Sequence, residues 1–235
     1  MADAADVRAA LAEFADPADA VHLQRFFKTG PGEYGEGDVF IGVRVPATRS
    51  VVKRFRGMSL EQIDDLLDDP VHEHRLAGLL LLVAQYPAEP EAVFDTYLAA
   101  VARGRVNNWD LVDLSAEYIV GPEVRSGRAP AALLDDLAAS PMLWERRVAV
   151  IATFDFIRHG DAGPTLRLAA GLLSDREDLM HKAVGWMLRE VGKRVSPEAL
   201  TGFLDVHAPA MPRTMLSYAV EHLDPQERAR YRAMR

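Results

Sequence analysis

The chain has 235 residues, 49% hydrophobic and 26% charged, enough to bury a sizeable core in one folded domain. It contains no cysteine, which excludes disulfides, thiol nucleophiles and cysteine-ligated zinc. The net charge of −8 argues against a protein coated by nucleic acid, although a local basic patch would still bind one. No apolar run approaches the roughly 20 residues of a membrane span; the greasiest stretch, Leu79 to Ala84, is far too short. The N-terminus lacks the basic region of a signal peptide, so the expectation is a cytoplasmic protein that does not engage a membrane.

Taken in order, Asp6 to Phe14 and Ala18 to Phe27 read as helices split by Asp16-Pro17, with Pro17 suited to a first helical position. Gly30 to Gly35 matches three spaced glycines of a dinucleotide loop, but that fingerprint needs a strand before it and a helix directly after. Here a helix precedes, and a further turn cluster and an extended Val39 to Val43 follow, so a structured surface loop is expected. From Pro46 onward the periodicity is helical almost throughout. Helices are expected at Pro46 to Arg56, Ser59 to Leu67, Val71 to Gln85, Pro90 to Arg103, Trp109 to Ile119, Ala131 to Ala138 and Trp144 to Ile157. More follow at Gly163 to Leu173, Asp178 to Lys193, Ser196 to Val206, Pro212 to Leu223 and Pro225 to Met234. Ser59 with Gln62 three residues on predicts a capping box.

These helices repeat. Arg75, Arg147, Lys182 and Arg213 each stand early in a long apolar helix, and Trp109 to Asp113 fills the slot between the first two. The spacing of about 31 to 38 residues is near the period of two-helix repeats. The expected architecture is all-α, a right-handed α-solenoid of HEAT-like repeats with a concave face along which the early basic residues line up. One domain spans 1–235, with 1–45 as a helical cap and glycine-rich loop and 46–235 as the repeats.

The stretch that carries chemistry is Asn107 to Leu114. Trp109 and Asp113 are four apart and project from one face of a helix. An indole face beside a carboxylate favours a cation. Each residue also has a plainer reading: Trp109 and Trp186 as core, Asp113 as a solvated or ion-paired carboxylate, Arg147 as an internal ion-pair partner. His72 and His74 are two apart, face different ways on a helix and cannot share a metal as an i, i+4 pair would, so no metal is assigned. No phosphate loop ending in Lys-Ser/Thr occurs, and no cofactor is expected.

Four blocks together point to a family. They are Phe26-Phe27-Lys28 with the glycine loop and Gly42 to Pro46, Trp109 to Asp113, Trp144 to Arg147, and Lys182 to Glu190. In these the chain resembles the HEAT-like DNA alkylation repair glycosylases, the AlkD family. The resemblance implies a catalytic Asp113, active-site tryptophans at Trp109 and Trp186, and a phosphate-contacting Arg147. It also implies an N-terminal aromatic against the duplex at Phe26, where the family has Tyr. Arg146, Lys182 and Arg189 are further candidates for DNA contact, with Arg44, Lys53, Arg54, Lys193 and Arg213 behind them.

The chemistry fits that inventory. A purine alkylated at N3 or N7 already carries positive charge and departs neutral, so no acid is required. A carboxylate, ring faces and a water suffice for the cationic sugar that remains. The expectation is a monofunctional glycosylase, working as a monomer on double-stranded DNA carrying alkylated bases, in base excision repair and without base flipping. Two rivals stand beside it: a non-catalytic HEAT-repeat protein that binds unusual DNA structures, and a protein-interaction scaffold.

Overall fold

In a computed structural model, residues 3–234 are described, and they are all-α. The chain divides into two compact units, Met1–Ser115 and Ala116–Arg235. The first holds α1 (Ala4–Ala12), α2 (Pro17–Phe26), α3 (Val45–Arg54), α4 (Leu60–Leu67), α5 (His72–Gln85), α6 (Pro90–Ala102) and α7 (Trp109–Asp113). The second holds α8 (Ala116–Arg125), α9 (Ala132–Ala138), α10 (Leu143–Arg158), α11 (Gly163–Gly171), α12 (Asp178–Arg194), α13 (Pro197–His207), α14 (Arg213–Ala219) and α15 (Pro225–Ala233), with a short 3₁₀ turn at Ala208–Ala210. No described helix is long and apolar enough to cross a membrane.

In the first unit α5 is the hub. It is buried from His72 to Leu82 and packs on α1, α3, α4, α6 and α7. Helix α1 is closed by a reciprocal cap between Asp3 and Asp6, and Arg8 ties it to α4 through Asp65 and Asp69 at 2.9 and 2.7 Å. The capping box expected at Ser59 does not form. Gln62 instead accepts the backbone N–H of Ala4 at 2.9 Å, satisfying a first-turn donor of α1, and Ser59 makes no side-chain cap.

The glycine-rich segment also departs from expectation. It is not merely a surface loop, because it returns Asp38 and Phe40 to the interior. The extended stretch after it forms a single parallel bridge, Val39 to Val71, in which His72 N–H donates to the Val39 carbonyl at 2.8 Å. Glu73, buried on α5, accepts the backbone N–H groups of Ile41, Gly42 and Val43. Gly42 is required there: its φ is +85°, and a Cβ would lie 2.0 Å from the Asp16 carbonyl.

The helix expected from Trp109 to Ile119 is two helices. Ser115 is buried, and its hydroxyl donates back to the Leu111 carbonyl at 2.6 Å while also lying 3.0 Å from Tyr97 Oη. That back-bonding competes with the backbone ladder and ends α7 after five residues. Helix α8 then runs through Pro122, past the expected end at Ile119.

In the second unit consecutive helices pack on one another, α10 against α8, α9, α11 and α12, and α12 against α13 and α14. Two glycines permit the closest approaches. A Cβ on Gly121 would lie 2.6 Å from the Ala152 carbonyl of α10, and one on Gly185 would lie 2.4 Å from the Met215 carbonyl of α14. Gly121→Ala is therefore expected to lower stability by about 2 kcal/mol or more through overpacking. Gly202→Ala, at an exposed site in α13 with nothing near its added methyl, should raise it by about 0.5–1 kcal/mol through helix propensity. Denaturant midpoints of the two variants check both signs.

Candidate active site

Helix α7 begins at Asn108, whose side-chain oxygen accepts the Trp109 N–H at 2.9 Å. Its one turn places Trp109 and Asp113 on a shared cleft of about 550 Å³ within the first unit. The walls are apolar, from Leu23, Phe26, Phe27, Val45, Pro46 and Leu76, with Arg44, Arg49, Glu73 and Asp110 at polar positions. Phe26 is 56% exposed, with its ring centroid 6.1 Å from that of Trp109 in an edge-on contact. Phe27 stacks on Trp109 at 5.3 Å and on Phe40 at 5.1 Å, and Phe40 stacks on the His72 ring at 4.5 Å. Each such pair contributes about 0.5–1.5 kcal/mol beyond area burial, so the indole is held as part of a column rather than as a free side chain.

Beneath the column lies a charged chain that reading the sequence did not find. His72 is only 1% exposed. Its Nδ1 lies 3.1 Å from Asp38 Oδ2 and its Nε2 lies 2.9 Å from Asp110 Oδ2. Asp38 also accepts from Arg75 Nη2 at 2.6 Å and Asn107 Nδ2 at 2.8 Å. Burial alone would push the imidazole pKa down. The charge and hydrogen bond of Asp110, joined by those of Asp38, outweigh it and raise the pKa to about 9. Burial likewise works against the Asp38 carboxylate, but its bond to His72 and the charge of Arg75 hold its pKa below the ordinary value. At neutral pH His72 is therefore charged, and it stands between the Asp38 and Asp110 carboxylates. The pattern His72-x-His74-Arg75 on an apolar helix was the available signal, but its partners come from 34 and 38 residues away.

Trp186, Arg147, Arg146, Lys182 and Arg189 belong to the second unit. Trp186 is half-buried on α12, its ring 6.0 Å from Phe154. Lys182, Trp186 and Arg189 follow at i, i+4 and i+7 and so share a helix face. The basic side chains of the expected DNA contacts are engaged with protein groups. Arg147, 4% exposed, donates from Nη1 to the Leu179 carbonyl at 2.5 Å and so joins α10 to α12. Arg146 pairs with Asp175 at 2.8 Å, Lys182 with Asp178 at 2.9 Å, and Arg189 with Glu190 and Glu221. Arg213 donates to the Arg232 carbonyl. Of the early basic residues, Arg147 and Arg213 thus join neighbouring helices, Arg75 binds loop groups and Lys182 pairs within its own helix.

The sequence pattern of the DNA alkylation repair enzyme family matches residues 7–223, most of the chain. The chain belongs to that family. Membership makes it an enzyme of DNA alkylation repair, with DNA as its partner. Among solved structures it is similar to a predicted DNA alkylation repair enzyme from Enterococcus faecalis, with a TM-score of 0.73 and 16% identity over 90% of this chain and 97% of the other. That likeness shows the same helical fold. A search of curated proteins found no match.

The raised His72 pKa has a consequence for stability. A group whose pKa is higher folded than unfolded contributes fully below its unfolded value, about 6.5, and loses that contribution as pH rises through about 9. The unfolding free energy of the protein relative to its His72→Gln variant should fall by on the order of 3 kcal/mol between those pH values. Urea titrations of both proteins across that range measure it.

Proposed function

We propose that the protein is a monofunctional DNA glycosylase that hydrolyses the N-glycosidic bond of N3- and N7-alkylated purines in double-stranded DNA. The observation that carries this reading is the pairing of the Trp109 ring and the Asp113 carboxylate on one apolar-walled cleft. As the C1′–N bond breaks, its electron pair passes to the cationic base, which leaves neutral. Positive charge then develops on the deoxyribose. Asp113 stabilises that charge and directs a water to C1′, with the water's proton passing to the carboxylate or solvent. Trp109 presents its ring face to the same charge, a contact worth roughly 0.5–2 kcal/mol. The family resemblance also assigns an active-site role to Trp186 and a phosphate contact to Arg147, which would have to give up its bond to the Leu179 carbonyl to make one, with Arg146, Lys182 and Arg189 as further backbone contacts. Phe26, exposed beside Trp109, is suited to lie against the duplex. In this reading the lesion keeps its place in the stack, so the enzyme tolerates bulky adducts.

The test is mass analysis of bases freed from methylated duplex DNA at neutral pH. Wild type should release 7-methylguanine and 3-methyladenine, and Asp113→Asn should lose about a hundredfold or more in rate. Hypoxanthine should stay in the DNA, because it needs an acid to depart. Undiminished release by Asp113→Asn overturns the role of Asp113; rapid release of hypoxanthine overturns the acid-free mechanism.

A further inference from the structure

Helix α7 carries both Trp109 and Asp113, yet it is five residues long. A helix that short has no stability of its own, since nucleation costs more than one turn of hydrogen bonds returns. Its position therefore comes from what grips it. One grip is on Asp110, in the first turn of the helix, whose Oδ2 is bound by His72 Nε2 at 2.9 Å. His72 is held from the other side by Asp38, and Asp38 by Arg75 and Asn107. Asn107 and the capping Asn108 are the two residues directly before Trp109.

We propose that His72 is a positioning residue for base excision, resting on the glycosylase reading above. Bridging Asp38 and Asp110, it sets the angle at which α7 presents Trp109 and Asp113 to the cleft and holds Asp110 as an acceptor in the cleft wall. A second observation concerns the same carboxylate. Asp110 Oδ1 is buried without a hydrogen-bond partner, although Asp110 lines the cleft. A buried oxygen without a partner is costly, so the Asp110 carboxylate depends on the bond that His72 gives its other oxygen.

The charged groups bound to His72 are Asp38 from the loop and Asp110 from α7; Arg75 from its own helix binds the same Asp38, and Glu73 lines the same cleft. Asp113 lines the same cleft. His72 loses its charge as pH rises through about 9.

Substitutions at His72 test this. Gln at position 72 can still donate to Asp110 but cannot titrate, whereas Leu removes the donor. In single-turnover release of 3-methyladenine, His72→Leu should lose about a hundredfold in rate, the scale of a displaced reacting group. Its affinity for a duplex with an uncleavable abasic analogue should change less than about threefold, and His72→Gln should recover most of the rate. The wild-type to Gln rate ratio should fall as pH rises through about 9, a comparison in which changes in the DNA cancel. The second readout needs no activity. With Trp144 and Trp186 replaced by Phe, the emission of Trp109 should titrate near pH 9 and be flat in the His72→Gln background.

A pH-independent Trp109 signal overturns the inference whatever the activity. So does a folded His72→Leu protein that excises within threefold of wild type. Asp113→Asn distinguishes the two claims. Release lost there but intact in His72→Leu removes only the positioning role, while release retained there removes the glycosylase assignment to Asp113 and leaves the fluorescence titration to decide His72.

Discussion

A buried imidazolium between two carboxylates is what the first unit is arranged around. It requires α5, which supplies His72 and Arg75, to be buried over most of its length. It requires the glycine-rich segment to turn inward and deliver Asp38. It also requires the Asn107-Asn108 entry to α7, whose side chains reach the same carboxylate. Taking such charges out of water is costly, and removing one partner from a buried pair typically costs about 3–5 kcal/mol. A chain of this kind persists where its geometry is needed, and here the geometry belongs to a helix too short to orient itself.

The aromatic column above it solves a related problem. An indole that lines an open cleft is half exposed, and an exposed side chain is mobile unless something packs behind it. Trp109 is half-buried, with Phe27 stacked behind it and Phe40 and His72 behind that. The stack leaves one face for the cleft while the other is fixed by contact. Phe26 extends the apolar wall at the exposed edge. The loss of a hydroxyl relative to tyrosine costs no ring area at that position.

The second unit spends its basic side chains differently from what their spacing suggests. Arg146, Arg147, Lys182 and Arg189 all bind carboxylates or carbonyls of neighbouring turns and helices. With a net charge of −8, most guanidinium groups in the chain find an acid nearby before they find a phosphate. The glycines follow the same logic of close neighbours. Gly121 and Gly185 sit where α8 meets α10 and α12 meets α14, and any side chain there would meet backbone.

Hydrophobic periodicity and proline placement alone determined the all-α class and most helix positions, because a 3.6-residue apolar stripe and a Pro at the first turn are local signals. The i, i+4 spacing alone put Trp109 and Asp113 on one face. The end of α7 ahead of Ser115 was hidden, since the hydroxyl that bonds back to Leu111 is buried against Tyr97, a partner on another helix. The failed cap at Ser59 was hidden for the same reason, with Gln62 taken by α1. Only the tertiary structure decided that His72, dismissed when its neighbour His74 faced the wrong way for a metal, would stand between Asp38 and Asp110. Electrostatic partners are chosen by distance in space, and sequence separation carries no information about that distance until the helices have packed.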